Sequence, residues 1–166
     1  MIIVKLLAAA LLSAGSIATA QDVVLLGRVQ QVVLQPFGTE NCPPPCSAVA
    51  TVQPDGSQRV CISNAGGCQS MEVAVDTIYR GGGGERTRRF KSSIGEWGPS
   101  FPVTRKQIVV SEEGGSVFWS FATVREGRIY VDPKKLGSVG RFASSAASDN
   151  ELVALDDMLA RTGARR

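Results

Sequence analysis

The sequence predicts a mainly β fold, an antiparallel barrel or sandwich with one late helix. Three observations predict it. Short runs rich in Val, Ile and Phe recur between Gly- and Pro-containing turns, only the last segment shows helical punctuation with an apolar stripe, and no internal repeat divides the chain.

Taken in order, Met1 to Ala20 read as a signal peptide to be removed: Lys5 is the positive n-region, Leu6 to Leu12 the apolar stretch and Ala18-Thr19-Ala20 the small-residue cleavage site. The apolar stretch is broken by Ser13, Gly15 and Ser16, short of the roughly 20 residues that span a bilayer. The mature chain is expected to have no transmembrane segment, with a β-domain over 21–142 and a linker plus amphipathic helix over 143–166. Asp22 to Phe37 is Val- and Leu-rich on both alternating sets, as a strand buried on both faces would be, and Gly27 marks a bulge or bend. "SAVATVQ" and "QRVCIS" flank "PDGS", a hairpin signal.

Further on, "MEVAVDTIY" alternates, with Met71, Val73 and Val75 on one face of a half-buried strand. Arg80 to Lys91 reads as a flexible basic loop, because four consecutive glycines resist any regular element. Ile94 to Thr104 is a second loop. "KQIVVSE", "SVFWSFATV" and "RIYVD" are three strands joined by "EGG" and "REG" turns; the second is apolar on both faces and is expected to be central. Ser148 and Glu151 form a capping box for a helix whose stripe is Leu152, Leu155, Met158 and Leu159, with Gly163 as its C-terminal cap.

Composition removes several function classes. The chain contains no histidine, so Ser-His-Asp, Cys-His and His-metal chemistries are excluded. A formal charge of +3, which falls to +2 without Lys5, is far from the balance of a nucleic-acid binder. The carboxylates Glu72, Asp76, Glu96, Glu112 and Glu113 stand in no spacing that predicts convergence, so a hydrolase using carboxylates is the least favoured reading. No catalytic residue, metal or cofactor is expected.

The segments Asp22-Val23-Val24 with Gly27 and Val29, then Val73, Val75 and Ile78-Tyr79-Arg80-Gly81, then Lys106-Gln107-Ile108-Val109-Val110 have a strand rhythm that resembles netrin-type domains, among them the tissue inhibitors of metalloproteinases. The resemblance covers residues 21–135 and implies an OB-like closed or partly open barrel. Those inhibitors block zinc with an N-terminal cysteine, whereas this mature chain would start Gln21-Asp22, so that route of inhibition is not implied here.

An exported chain with four cysteines, Cys42, Cys46, Cys61 and Cys68, is expected to hold them as disulfides. A Cys₄ zinc site is disfavoured by the six residues between Cys61 and Cys68. If Pro43 to Pro45 form polyproline II at about 3.1 Å per residue, Cys42 and Cys46 stand roughly 12 Å apart and cannot pair with each other. Cys42–Cys68 with Cys46–Cys61 remains, or the crossed alternative.

Export places the protein in a periplasm or outside the cell, as a non-catalytic binding module. Trp97 and Phe101, in a Gly/Pro-rich loop beside Arg105 and Lys106, are candidates for meeting a protein partner, as an inhibitor would. The competing reading is that Trp97 plugs one end of the barrel. Arg80, Arg86, Arg88, Arg89 and Lys91 are candidates for an anionic glycan or lipid surface, against the alternative of a solvated loop.

Overall fold

The computed structural model describes residues 22–44, 54–55, 66–144 and 151–163. The expected signal peptide, Cys46, Cys61, Ser148 and the arms of the "PDGS" hairpin lie outside the described residues; Pro54 and Asp55 occupy a turn. The architecture is mainly β. A five-stranded antiparallel sheet has the order β3-β2-β1-β4-β5, built from β1 (Val23–Gln35), β2 (Gly67–Arg80), β3 (Thr87–Ile94), β4 (Gln107–Glu113) and β5 (Ser116–Phe121). A smaller sheet orders β6 (Thr123–Arg125), β7 (Arg128–Val131) and β8 (Val153–Ala154). Two α-helices, α1 (Gly137–Ser144) and α2 (Leu155–Gly163), and a 3-10 turn at Pro133–Lys135 complete the described elements.

β1 organises the larger sheet. It pairs with β2 from Val24↔Arg80 to Gln35↔Cys68, and its first half also pairs with β4 from Val23↔Glu112 to Arg28↔Gln107. Its register on β2 shifts at three places, one of them between Leu26 and Gly27, where the sequence predicts a bulge. Each shift disrupts a ladder bond worth about 1 kcal/mol, while each buried Val or Leu gains roughly 1.5–3 kcal/mol. Burial therefore wins, and the strand bends. The sheet curls until β3 and β5 come into contact, yet they form no ladder, so among the described residues it does not close into a barrel.

The curl divides the core in two. Val23 and Leu25 point inward with Met71, Val73, Phe90, Phe101, Ile108 and Val110. Val24 and Leu26 point outward, with Val109, to a layer formed by Val131, Leu136, Val139, Leu155 and Met158. Burial on both faces follows from this division for Val23 to Leu26; beyond Gly27 the expectation fails, since the rest of β1 is half-buried or exposed, with Leu34 at 53%. Two buried serines stitch the outer layer on: Ser111 donates to the Leu136 carbonyl at 3.1 Å, and Ser120 accepts from Asp132 N at 2.9 Å. Glu113 accepts from the amides of Ser138 and Val139 at 3.1 Å each, supplying α1 with an N-terminal partner from another element.

Cys42 is bonded to Cys68, with α-carbons 5.5 Å apart, one of the pairings left open by the sequence. The bridge closes a loop across 26 positions, worth roughly 3.5 kcal/mol on the chain-entropy estimate.

Four further expectations need correction. The basic tract is a loop only from Gly81 to Arg86: Arg80 ends β2, and from Thr87 the tract is β3, because Phe90 and Ile94 are buried on one face with the stem of Arg88 between strand and solvent. "SVFWSFATV" is not central: it breaks at Ala122, and its first part, β5, is an outer strand with Phe121 42% exposed. The last helix starts at Leu155, not at the Ser148–Glu151 box, since Val153 and Ala154 are drawn into pairing with β7. α1 was not expected at all, for its two glycines and two serines are poor helix formers.

α2 lies on the sheet through Leu155 and Met158, both buried, and is tied at its end by Arg80, which donates to Thr162 Oγ1 at 2.7 Å. Tyr79 packs against the same layer, and burial, with Asp156 nearby, raises its phenol above the ordinary value of 10.0.

Two tests follow from this packing. A Cβ at Gly27 would collide with the Ala74 carbonyl and the Val73 side chain, so Gly27→Ala should cost about 1–3 kcal/mol in denaturant unfolding. Because Tyr79 holds its proton more tightly when folded, its contribution to stability is full below pH 10 and declines as pH rises above the unfolded value. Unfolding measured from pH 9 to 11.5 should show a smaller alkaline loss in Tyr79→Phe than in the parent chain.

Candidate functional site

The loop between β3 and β4 is built by two devices. At its start, Gly98 N donates to the Gly95 carbonyl at 3.0 Å, and Gly98 has a φ of +84°, so Gly95 to Gly98 form a tight turn. The turn leaves the Trp97 side chain outside, 95% exposed. Trp97 is therefore no plug.

The second device is a clamp. Gln69 is 1% exposed, and its Oε1 accepts from the amides of both Ser100 and Phe101 at 3.0 Å. Its Nε2 donates to Ser100 Oγ at 2.7 Å, while Trp119 Nε1 donates to the Ser100 carbonyl at 2.8 Å. Four bonds thus fix two residues that make no strand pairing. With the backbone held there, Phe101 turns inward and joins the core under Met71 and Phe90, 6% exposed. Phe101 plugs the curl and does not face a partner.

Beyond the plug, the chain surfaces again. Val103 is 90% exposed, and Thr104 Oγ1 accepts from Lys106 N at 3.1 Å, turning the backbone into β4. Arg105 is exposed and, with Val103 and Val29 to Val32, borders a shallow recess of about 340 Å³. Lys106 places its Nζ 5.8 Å from the centre of the Phe121 ring, which meets Trp119 edge-on at 5.2 Å. Of the four residues predicted for partner contact, Trp97, Arg105 and Lys106 are exposed on one loop and its β4 junction. Val103 joins them; its apolar side chain between Pro102 and Thr104 carried no periodic signal.

The five basic candidates do not form a unit. Arg80 is tied to α2. Strand alternation sends Arg88 to Glu112 at 3.3 Å, with its guanidinium 5.7 Å from the Phe90 ring centre, and sends Arg89 to Glu72 at 2.9 Å. Arg86 is exposed in the loop, and Lys91 is exposed on the same face of β3 as Arg89.

The carboxylates are likewise engaged. Asp76 accepts from Arg28 at 3.2 Å and from Gln107 at 2.8 Å, and Glu72, Glu112 and Glu113 have the partners already given. Glu96 stands in the exposed turn beside Trp97. A scan against protein-family models, a search of the curated proteins and a search of the solved structures each returned no match.

Gln69 is the residue that sequence reasoning passed over, although a signal existed. It has the parity of Met71 and Val73, so a polar amide stands on the inward face of an alternating strand, and a buried amide needs partners. Replacement of Gln69 with Leu keeps the volume and orphans the loop amides. Expected outcomes are a stability loss of about 2–3 kcal/mol and faster hydrogen exchange at Ser100 and Phe101.

Proposed function

We propose that this chain is an exported, non-catalytic binding module that recognises a protein partner through the loop carrying Trp97. The observation that carries the proposal is the pairing of an almost fully exposed tryptophan with a backbone held in advance by Gln69 and Trp119. An exposed indole costs solubility, and a pre-ordered loop loses little entropy on docking, a combination suited to an interaction hot spot. Val103 supplies adjacent apolar surface and Arg105 a cation at its rim. Engagement of Glu72, Asp76, Glu112 and Glu113 in pairs and caps supports binding over acid-base chemistry.

Export is supported by the signal-like segment 1–20 and by the Cys42–Cys68 bond, which persists in oxidising compartments. The larger sheet is best read as a partly open OB-like barrel. Five antiparallel strands in the order β3-β2-β1-β4-β5, with β3 brought against β5, support that reading. The segments that resemble netrin-type domains fall on the neighbouring strands β1, β2 and β4 and their ends, in agreement with it.

Capture from a native envelope extract on immobilised mature chain tests the function. A protein retained by the parent should bind about 30-fold more weakly to Trp97→Ala, a loss of roughly 2 kcal/mol, while the variant's melting temperature stays unchanged. Retention by Trp97→Ala equal to that of the parent would overturn the proposal.

A further inference from the structure

Where β3 and β5 approach without pairing, the sheet leaves a groove of about 610 Å³. This volume lies in the range of small-molecule sites, roughly 300–1,000 Å³. The groove has residues of β3 on one side and of β5 on the other, and the first residues of β2 behind them.

Its floor is rigid. Cys68 is covalently tied to Cys42, and the neighbouring Gln69 has its amide spent on the loop clamp. The lining above is rich in hydroxyls, Ser70, Ser93 and Ser116 among them, each able to donate and to accept. Phe118 adds an apolar ring, the usual complement to the C–H face of a pyranose, and packs close to Gly137, which leaves it little room to move.

The charge of the groove is specific. Arg89 is neutralised by Glu72 at 2.9 Å, but Lys91 has no carboxylate partner among the described residues, and no acidic side chain lines the groove. One positive charge is thus left over beside hydroxyls and a ring.

We propose that this groove binds an acidic saccharide, its sugar ring on Phe118, its hydroxyls on the serines and its anionic group on Lys91. An extended peptide laid between the two strand edges would need backbone bonds alone and would make no use of the lysine. The site is separate from the Trp97 loop and stands or falls without it.

Calorimetric titration of the oxidised mature chain distinguishes the outcomes. A tetragalacturonate should bind at least tenfold more tightly than maltotetraose, and a sulfated tetrasaccharide in parallel shows whether carboxylate or sulfate is the better anion; preference for either supports the site. Lys91→Gln should reduce tetragalacturonate affinity about tenfold, Ser93→Trp should fill the groove and abolish binding, and Trp97→Ala should change neither. The proposal is overturned if neither tetragalacturonate nor the sulfated tetrasaccharide binds at millimolar concentration, or if Lys91→Gln leaves the affinity of the one that binds unchanged. It is equally overturned if an uncharged extended hexapeptide binds in a Ser93→Trp-sensitive way and the saccharides do not.

Discussion

Everything in this molecule depends on the first five residues of β1, Val23 to Gly27, being wet on neither face. A strand buried on both sides must supply apolar side chains at every position and bend to keep both layers in contact, and Val23 to Leu26 do the first while Gly27 permits the second. A side chain at Gly27 would drive β1 away from Ala74 on β2. The inward curl would open, Phe101 would lose its pocket, and the outer layer would lose Val24 and Leu26 as its floor. The two cores are therefore not independent units joined by a linker. They share two paired strands, β1 and β4.

The Gln69 clamp illustrates how a polar group in that core acquires a use. Burying an amide without partners costs about 1–3 kcal/mol, so its retention among Met71, Phe90 and Phe101 requires compensation. Ser100 and Phe101 provide it, and in return their own amides are satisfied in a stretch that has no ladder. Side-chain-to-backbone bonding of this kind holds an irregular segment as firmly as strand pairing would. It also accounts for two aromatics, four residues apart, meeting opposite fates: Phe101 follows the clamped backbone inward, and Trp97 is left outside by the glycine turn.

Those opposite fates mark the limit of what could be read from the sequence. Two-sided burial was legible at Val23 to Leu26 because Val and Leu occupy both alternating sets, but the same composition at Val29 to Leu34 overstated its extent; the inward face of β2 was legible at Met71 and Val73. β3 was not, since Arg88, Arg89 and Lys91 conceal the spacing of Phe90 and Ile94 behind a glycine run. β5 was misplaced because Trp119 and Phe118 are apolar for separate reasons, one bonded to the loop and one packed by α1. Which of Trp97 and Phe101 points inward depends on Gln69, about thirty positions earlier, and no local pattern encodes a bond over that distance. The cations read as one basic tract do not stand as a group, because pairing with Glu72 and Glu112 across strands divides them.

The clamp grips three backbone groups and a single loop side chain, the Ser100 hydroxyl. Apart from Ser100, Phe101, Pro102 and the turn glycines, the fold asks little of what stands at 96, 97, 103 or 105. The loop thus behaves as an exchangeable cassette on a fixed chassis: descendants of this chain can rewrite their recognition surface by single substitutions without renegotiating the core, and grafted sequences of the same length should inherit its geometry.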